Sequence, residues 1–135
     1  MHHDDLSSIS LEHLLDAGNW QQQYKLIIQW GKLISHKPGL RVPDNLIRGC
    51  EIPVWLACEQ RQGDVYFVFD ADSSVIKGLA SLLLVQLNGR NVDELNEVDL
   101  EKKLRGLGLE KHLTPSRNNG LKGIIARIYD LLGRG

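Results

Sequence analysis

From Val75 to Leu87 the chain reads Val-Ile-Lys-Gly-Leu-Ala-Ser-Leu-Leu-Leu-Val-Gln-Leu, a segment apolar on nearly every side of a helix. A surface helix carries one apolar stripe, whereas a helix apolar all round has to be enclosed by the rest of its chain. Asp70-Ala71-Asp72-Ser73-Ser74 ahead of it supplies N-cap chemistry, and Asn88-Gly89 behind it supplies a stop. The longest apolar stretch, Leu79 to Leu87, is about half of what a membrane span requires and contains Ser81 and Gln86. The helix is therefore expected at the centre of a folded core. A chain of 135 residues has room for one such core and not two. The expectation is one domain over residues 1–135, ordered from about 11 to 132.

The remaining sequence supplies the wrapping. Leu11 to Ala17 reads as a short helix, broken at Gly18-Asn19, with Asn19 as the N-cap of a second helix from Trp20 to about Ser35. Tyr24, Ile27, Ile28, Leu33 and Ile34 recur there at near-helical spacing, with Trp20 and Trp30 alongside. Pro38-Gly39 closes this part. A loop with Pro38, Pro43 and Gly49 leads into a strand whose even positions, Ile52, Val54, Leu56 and Cys58, are apolar. Arg61-Gln62-Gly63-Asp64 is a turn signal, and Val65 to Phe69 returns as the antiparallel partner. After the central helix come short helical pieces at about Asp93 to Asn96 and Asp99 to Gly106. Thr114-Pro115 then opens a last helix striped by Leu121, Ile124, Ile125, Ile128, Leu131 and Leu132. Helices, a small antiparallel sheet, then helices make the fold class α+β.

Lys and Arg total 16 against 17 Asp and Glu, a formal net charge of -1. That balance argues against nucleic acid or anionic lipid as partner. The N-terminus has no basic region followed by an apolar run, so the expected location is cytoplasmic, without a membrane.

Chemistry has few places to reside. The two cysteines, Cys50 and Cys58, show no CxxC spacing, and the five histidines show no HxxxH or CxxH spacing, so no metal centre is read. A disulfide is not expected either. Eight residues apart, their Cα atoms would be about 26 Å apart in one strand or about 12 Å in one helix, against roughly 4.4–6.8 Å for a disulfide. Cys58 lies at strand parity with Val54 and Leu56 and reads as a small core hydrophobe. Cys50 stands where the proline-bearing loop meets the strand. Gly49 before it leaves approach unobstructed. Regular strand parity from Cys50 would turn its side chain inward beside Ile52, Val54 and Leu56, unless Pro53 resets it. Arg48 and Glu51 offset each other, and no histidine is near in sequence. On the residues alone, a structural and a functional Cys50 both stand.

More specific patterns then appear. Ile47-Arg48-Gly49-Cys50-Glu51-Ile52-Pro53-Val54-Trp55 resembles the "GC-x-x-x-VW" signature of the SufE-like sulfur acceptors, a family that includes CsdE-like proteins. Asp70 to Leu79 is similar to that family's acidic run leading into "I-V-K-G-L". His112 to Leu121 is similar to its "H-L-T-P-S-R-x-x-G-L", and Trp20 to Tyr24 to its "W-x-x-x-Y". The resemblance covers about residues 15 to 132. It implies a small three-stranded antiparallel sheet with helices packed around it, a fold shared with IscU-like proteins. It also implies a partner of a pyridoxal-phosphate cysteine desulfurase that accepts persulfide sulfur on Cys50 and stimulates the desulfurase. The sulfur then passes to a downstream acceptor, such as an iron–sulfur scaffold. The chain itself is implied to be an accessory protein rather than an enzyme and to need no cofactor, pyridoxal phosphate belonging to the partner.

The resemblance further marks Gly49, Glu51, Asp72 and Arg117 as partner-binding positions. Asp72 reads first as the N-cap of the central helix; for Arg117 the competing reading is a solvated residue in the first turn of the last helix, where a cation opposes the helix dipole and so favours recognition. Gly78, costly in mid-helix by about 1 kcal/mol, implies close packing of the Cys50 loop or the hairpin on that helix. Trp55 reads as sheet core ahead of a mark of the partner surface, and Lys77 as a solvated charge. Ile52, where many relatives carry a polar residue, and Pro53 depart from the pattern within the reactive loop. The alternative functions are a thiol peroxidase or redox sensor using Cys50, for which Ile47 replaces the expected threonine, and a cluster scaffold, for which one ligand is too few.

Overall fold

The computed structural model describes residues 9–47 and 52–133. The nine labelled elements run α1 (Leu11–Asp16), α2 (Trp20–Leu33), β1 (Val54–Arg61), β2 (Asp64–Ala71), α3 (Ser74–Leu84), β3 (Arg90–Asn91), α4 (Val92–Asn96), α5 (Leu100–Gly106) and α6 (Pro115–Leu131). Helix α3 occupies the centre, with Val75, Ile76 and every residue from Gly78 to Leu84 buried. The helix stops a turn before the expected Leu87 because residues 85–89 curl back toward the sheet. Gly89, at φ 85°, takes the left-handed conformation that glycine tolerates. Its N–H donates to the Val65 carbonyl at 2.9 Å. Asn88 reinforces the return, accepting from the Phe67 N–H at 2.8 Å. These contacts lay Arg90–Asn91 beside β2 as the third strand.

The sheet is antiparallel in the order β1-β2-β3. Gln62 and Gly63 join the first two strands with φ of 53° and 87°, the two-residue turn whose twist suits a hairpin. Arg61 pairs with Asp64, and Leu56 with Phe69. Val54, Leu56, Val65, Phe67 and Phe69 form one buried face. The α+β class and the small three-stranded sheet are thus as expected.

Local chemistry sets most helix starts. Asn19 accepts from the Gln22 N–H at 3.0 Å, and Thr114 accepts from the Arg117 N–H at 3.3 Å with Pro115 opening α6. At α3 the cap is Ser73, which accepts from the Ile76 N–H at 3.2 Å; Asp72 is not the cap. Helix α2 ends at Leu33 rather than Ser35. Lys37, just beyond, commits its N–H to Asp70 at 2.9 Å, which draws the chain off the helix axis. Leu33, six residues after Ile27 and so about 120° round the helix from it, is 54% exposed, whereas Ile27, Trp30 and Ile34 are buried.

Helices α2 and α3 cross at two glycines. A Cβ on Gly31 would collide with the Ser74 carbonyl, and one on Gly78 with the Ile27 carbonyl. Gly78 is therefore required by α2 rather than by the hairpin, and the Cys50 loop lies outside the described residues. Gly78→Ala is expected to destabilise the fold by about 2–3 kcal/mol, because two backbones must separate and a helix-propensity gain of about 1 kcal/mol is too small to offset it. Urea unfolding measures this; an unchanged midpoint would exclude so close a crossing.

Candidate functional site

Cys50, Gly49 and Glu51 lie outside the described residues, between Ile47 and Ile52. The chain on either side of them is paired. The Ile47 N–H donates to the Val54 carbonyl at 2.9 Å, and Leu46 forms an antiparallel bridge with Trp55. Leu46-Ile47 and Val54-Trp55 thus form a short two-legged stem that flanks the Cys50 segment in sequence. Strand β1 begins at Val54, with Ile52 and Pro53 outside it. The inward parity of Cys50 rests on a strand beginning at that residue, and its orientation lies outside the described residues. Pro53 has no N–H to contribute to a ladder.

Beside this stem sits a buried carboxylate. Asp70, opposite Trp55 in the hairpin, is 0% exposed. Its Oδ2 accepts from the Lys37 N–H and from Arg41 Nε, both at 2.9 Å. The His36 Nδ1 is 3.1 Å from the same oxygen. Its Oδ1 accepts from the Ala71 N–H at 2.9 Å and lies 3.2 Å from Lys77 Nζ. Burial by itself would raise the carboxyl pKa. The Lys37 N–H, Arg41, Lys77 and the Ala71 N–H outweigh it and hold Asp70 well below the usual carboxylate range. Lys77 is accordingly a largely buried partner of Asp70, not a solvated charge.

Arg41 extends this group toward the stem. Its Nη1 donates to Asp72 at 2.7 Å, and its guanidinium carbon lies 4.3 Å from the Trp55 ring centroid, a cation–π distance. The hydrogen bonds it donates to Asp70 and then to Asp72 raise the Arg41 pKa further. Trp55 is half-buried under this guanidinium rather than in the core. Asp72 is 51% exposed and charge-paired with Arg41.

Arg117 occupies a different setting. Its guanidinium lies 5.9 Å from the Tyr24 ring. Tyr24 is 5.4 Å from Trp20, and Trp20 stacks on His112 at 4.6 Å with the planes 7° apart. The "W-x-x-x-Y" and "H-L-T-P-S-R" segments therefore meet in one column. Among the described residues, Asp72 and Arg117 share no hydrogen bond or ion pair.

Cys58 pairs with Phe67 and is half-buried. Burial raises its thiol pKa, and nearby Arg127 only partly counters this, so at neutral pH it is a protonated, weak nucleophile. Arg127 reaches across to two carbonyls, donating from Nε to Leu56 at 3.3 Å and from Nη2 to Asp44 at 2.8 Å. It also lines an open cavity of about 340 Å³ with Leu46, Ile47 and Asp130. Among the described residues, no three His, Cys, Asp or Glu side chains group to hold a metal ion. No described helix is long and apolar enough to cross a membrane.

Arg41 and Arg127 carry no local sequence signal. Asp70 lies on the strand face opposite Phe69, so alternation places it outward; the loop at 36–41 buries it. Its clues are an acid closely following the apolar run Val65 to Phe69 and its place at the head of the acidic run that resembles the family's.

Comparison with known proteins assigns the whole unit. Residues 9–132 match SufE, the Fe-S metabolism associated domain. The solution structure of a hypothetical protein from Thermus thermophilus shares the fold, with a TM-score of 0.72, 22% identity, and 99% of this chain and 97% of that one covered. With nearly its full length so matched, the chain belongs to the SufE family and has a role in Fe–S metabolism.

Proposed function

We propose that the protein is a sulfur acceptor and carrier that works through Cys50. The observation that carries this reading is the SufE match over residues 9–132, which takes in the Gly49-Cys50 segment. The Cys50 thiolate attacks the outer sulfur of a persulfide on a pyridoxal-phosphate cysteine desulfurase. A sulfur–sulfur bond forms at Cys50 while the donor's own sulfur–sulfur bond breaks, and the donor cysteine leaves as thiolate. The persulfide on Cys50 is then attacked in turn by a downstream acceptor thiol, such as one on an iron–sulfur scaffold. No oxidant or reductant is consumed. The carrier needs one accessible thiol, and the muted chemistry of Cys58 keeps it from competing.

Asp72 and Arg117 serve this reading as partner contacts, Asp72 presented at the stem by Arg41 and Arg117 on the aromatic column. Gly49 and Glu51 flank the thiol in sequence. Relief of its persulfide accelerates the desulfurase, so adding this protein to the desulfurase with cysteine is expected to increase the rate of alanine formation severalfold. Cys58→Ser should stimulate as well as the parent. No increase at saturating protein would sink the proposal.

A further inference from the structure

Strand β1 is an edge strand, with β2 on one side only. On its open side it is met by the Leu46–Trp55 bridge and the Ile47-to-Val54 bond. The outgoing leg is held by β2, but two residues of pairing give the incoming leg little hold of its own. The pairing cannot lengthen, because the incoming chain turns away as a 3-10 turn at Pro43–Asn45. The Leu56 carbonyl, which by strand alternation points off the same open edge as that of Val54, then needs another donor.

Arg127 is that donor. Its Nε serves Leu56 on the outgoing leg at 3.3 Å, and its Nη2 serves Asp44 on the incoming leg at 2.8 Å. The planar guanidinium holds the two legs at a fixed separation. Its own helix, α6, is anchored through buried Ile124, Ile125 and Ile128, so the clip is fastened to the core.

We propose that Arg127 is a positioning residue for sulfur transfer, clipping together the stem that flanks Cys50. The proposal rests on the sulfur-acceptor reading above. Attack on a persulfide is sensitive to placement, and a displacement of about 1 Å can cost up to 10²-fold in rate.

The test compares Arg127→Met, which keeps the apolar stem but loses both donors, with Arg127→Lys, which keeps the charge but not the fork. Amide exchange at Ile47 and single-turnover sulfur uptake from a persulfidated desulfurase are measured. In the Met variant, Ile47 exchange should accelerate and uptake at saturating donor should slow, each by about tenfold. The half-saturating donor concentration and protection across α3 should stay unchanged, which separates positioning from general destabilisation. Arg127→Lys should fall between. Wild-type exchange at Ile47 in the Met variant would overturn the proposal, as would an opened Ile47 with wild-type uptake. If the Met variant does not fold, the Lys variant decides by the same two readouts. A wild-type protein that accepts no sulfur overturns the acceptor reading and the transfer role with it, while Ile47 exchange separately reports on the clip.

Discussion

Asp70→Asn is expected to destabilise the protein by about 3 kcal/mol, the lower end of what breaking a buried charge pair costs. On a chain this size that lowers Tm by about 10 °C. The carboxylate is wholly buried and accepts from two backbone amides, Arg41 and Lys77. An asparagine is nearly isosteric, but its amide turns hydrogens toward groups that only donate. Arg41 and Lys77 keep some access to water, at 22% and 14% exposure, which softens the loss. The pH dependence gives a second readout. Asp70 is held well below the usual carboxylate range. Its contribution is therefore complete above the unfolded-state pKa of about 3.9 and is lost as pH falls toward the folded value. The gap between wild type and Asp70→Asn should be full at pH 7 and shrink steadily below about pH 4. A gap independent of pH would mean the destabilisation is steric rather than electrostatic.

That carboxylate also shows where sequence reading reaches its limit. The central helix, the caps at Asn19 and Thr114, the Gln62-Gly63 hairpin and the α6 stripe follow from local chemistry: periodicity, a side-chain acceptor at a helix start, a glycine at a left-handed position. Each is legible because its cause lies within a few residues. Asp70 is buried by a loop some thirty residues earlier, and Arg127 reaches Leu56 from the far end of the chain. Gly78 is visible as an anomaly, yet its reason, the Ile27 backbone, depends on a helix crossing that no local pattern encodes. Leu33 fails the opposite way: it is apolar and helical, but it lies off the face that Ile27, Trp30 and Gly31 bury. Asp72, ready to cap α3, yields that place to Ser73 and pairs with Arg41, again a long-range contact. At the site, the ordered motifs mark the Cys50 segment, whereas its stem and clips arise from tertiary structure.

Replacing Cys50 by serine is expected to abolish sulfur uptake entirely, since a hydroxyl cannot form the sulfur–sulfur bond on which the transfer depends. The other thiol cannot stand in for it, because burial raises the Cys58 pKa and leaves little thiolate at neutral pH. The most direct measurement is the intact mass of the protein after incubation with a cysteine desulfurase, cysteine and pyridoxal phosphate. Wild type and Cys58→Ser should each gain one sulfur, about 32 Da, removable by a thiol reductant, and Cys50→Ser should gain nothing. A wild-type protein that stays at its starting mass, or a Cys50→Ser protein that still takes up sulfur, would contradict the account.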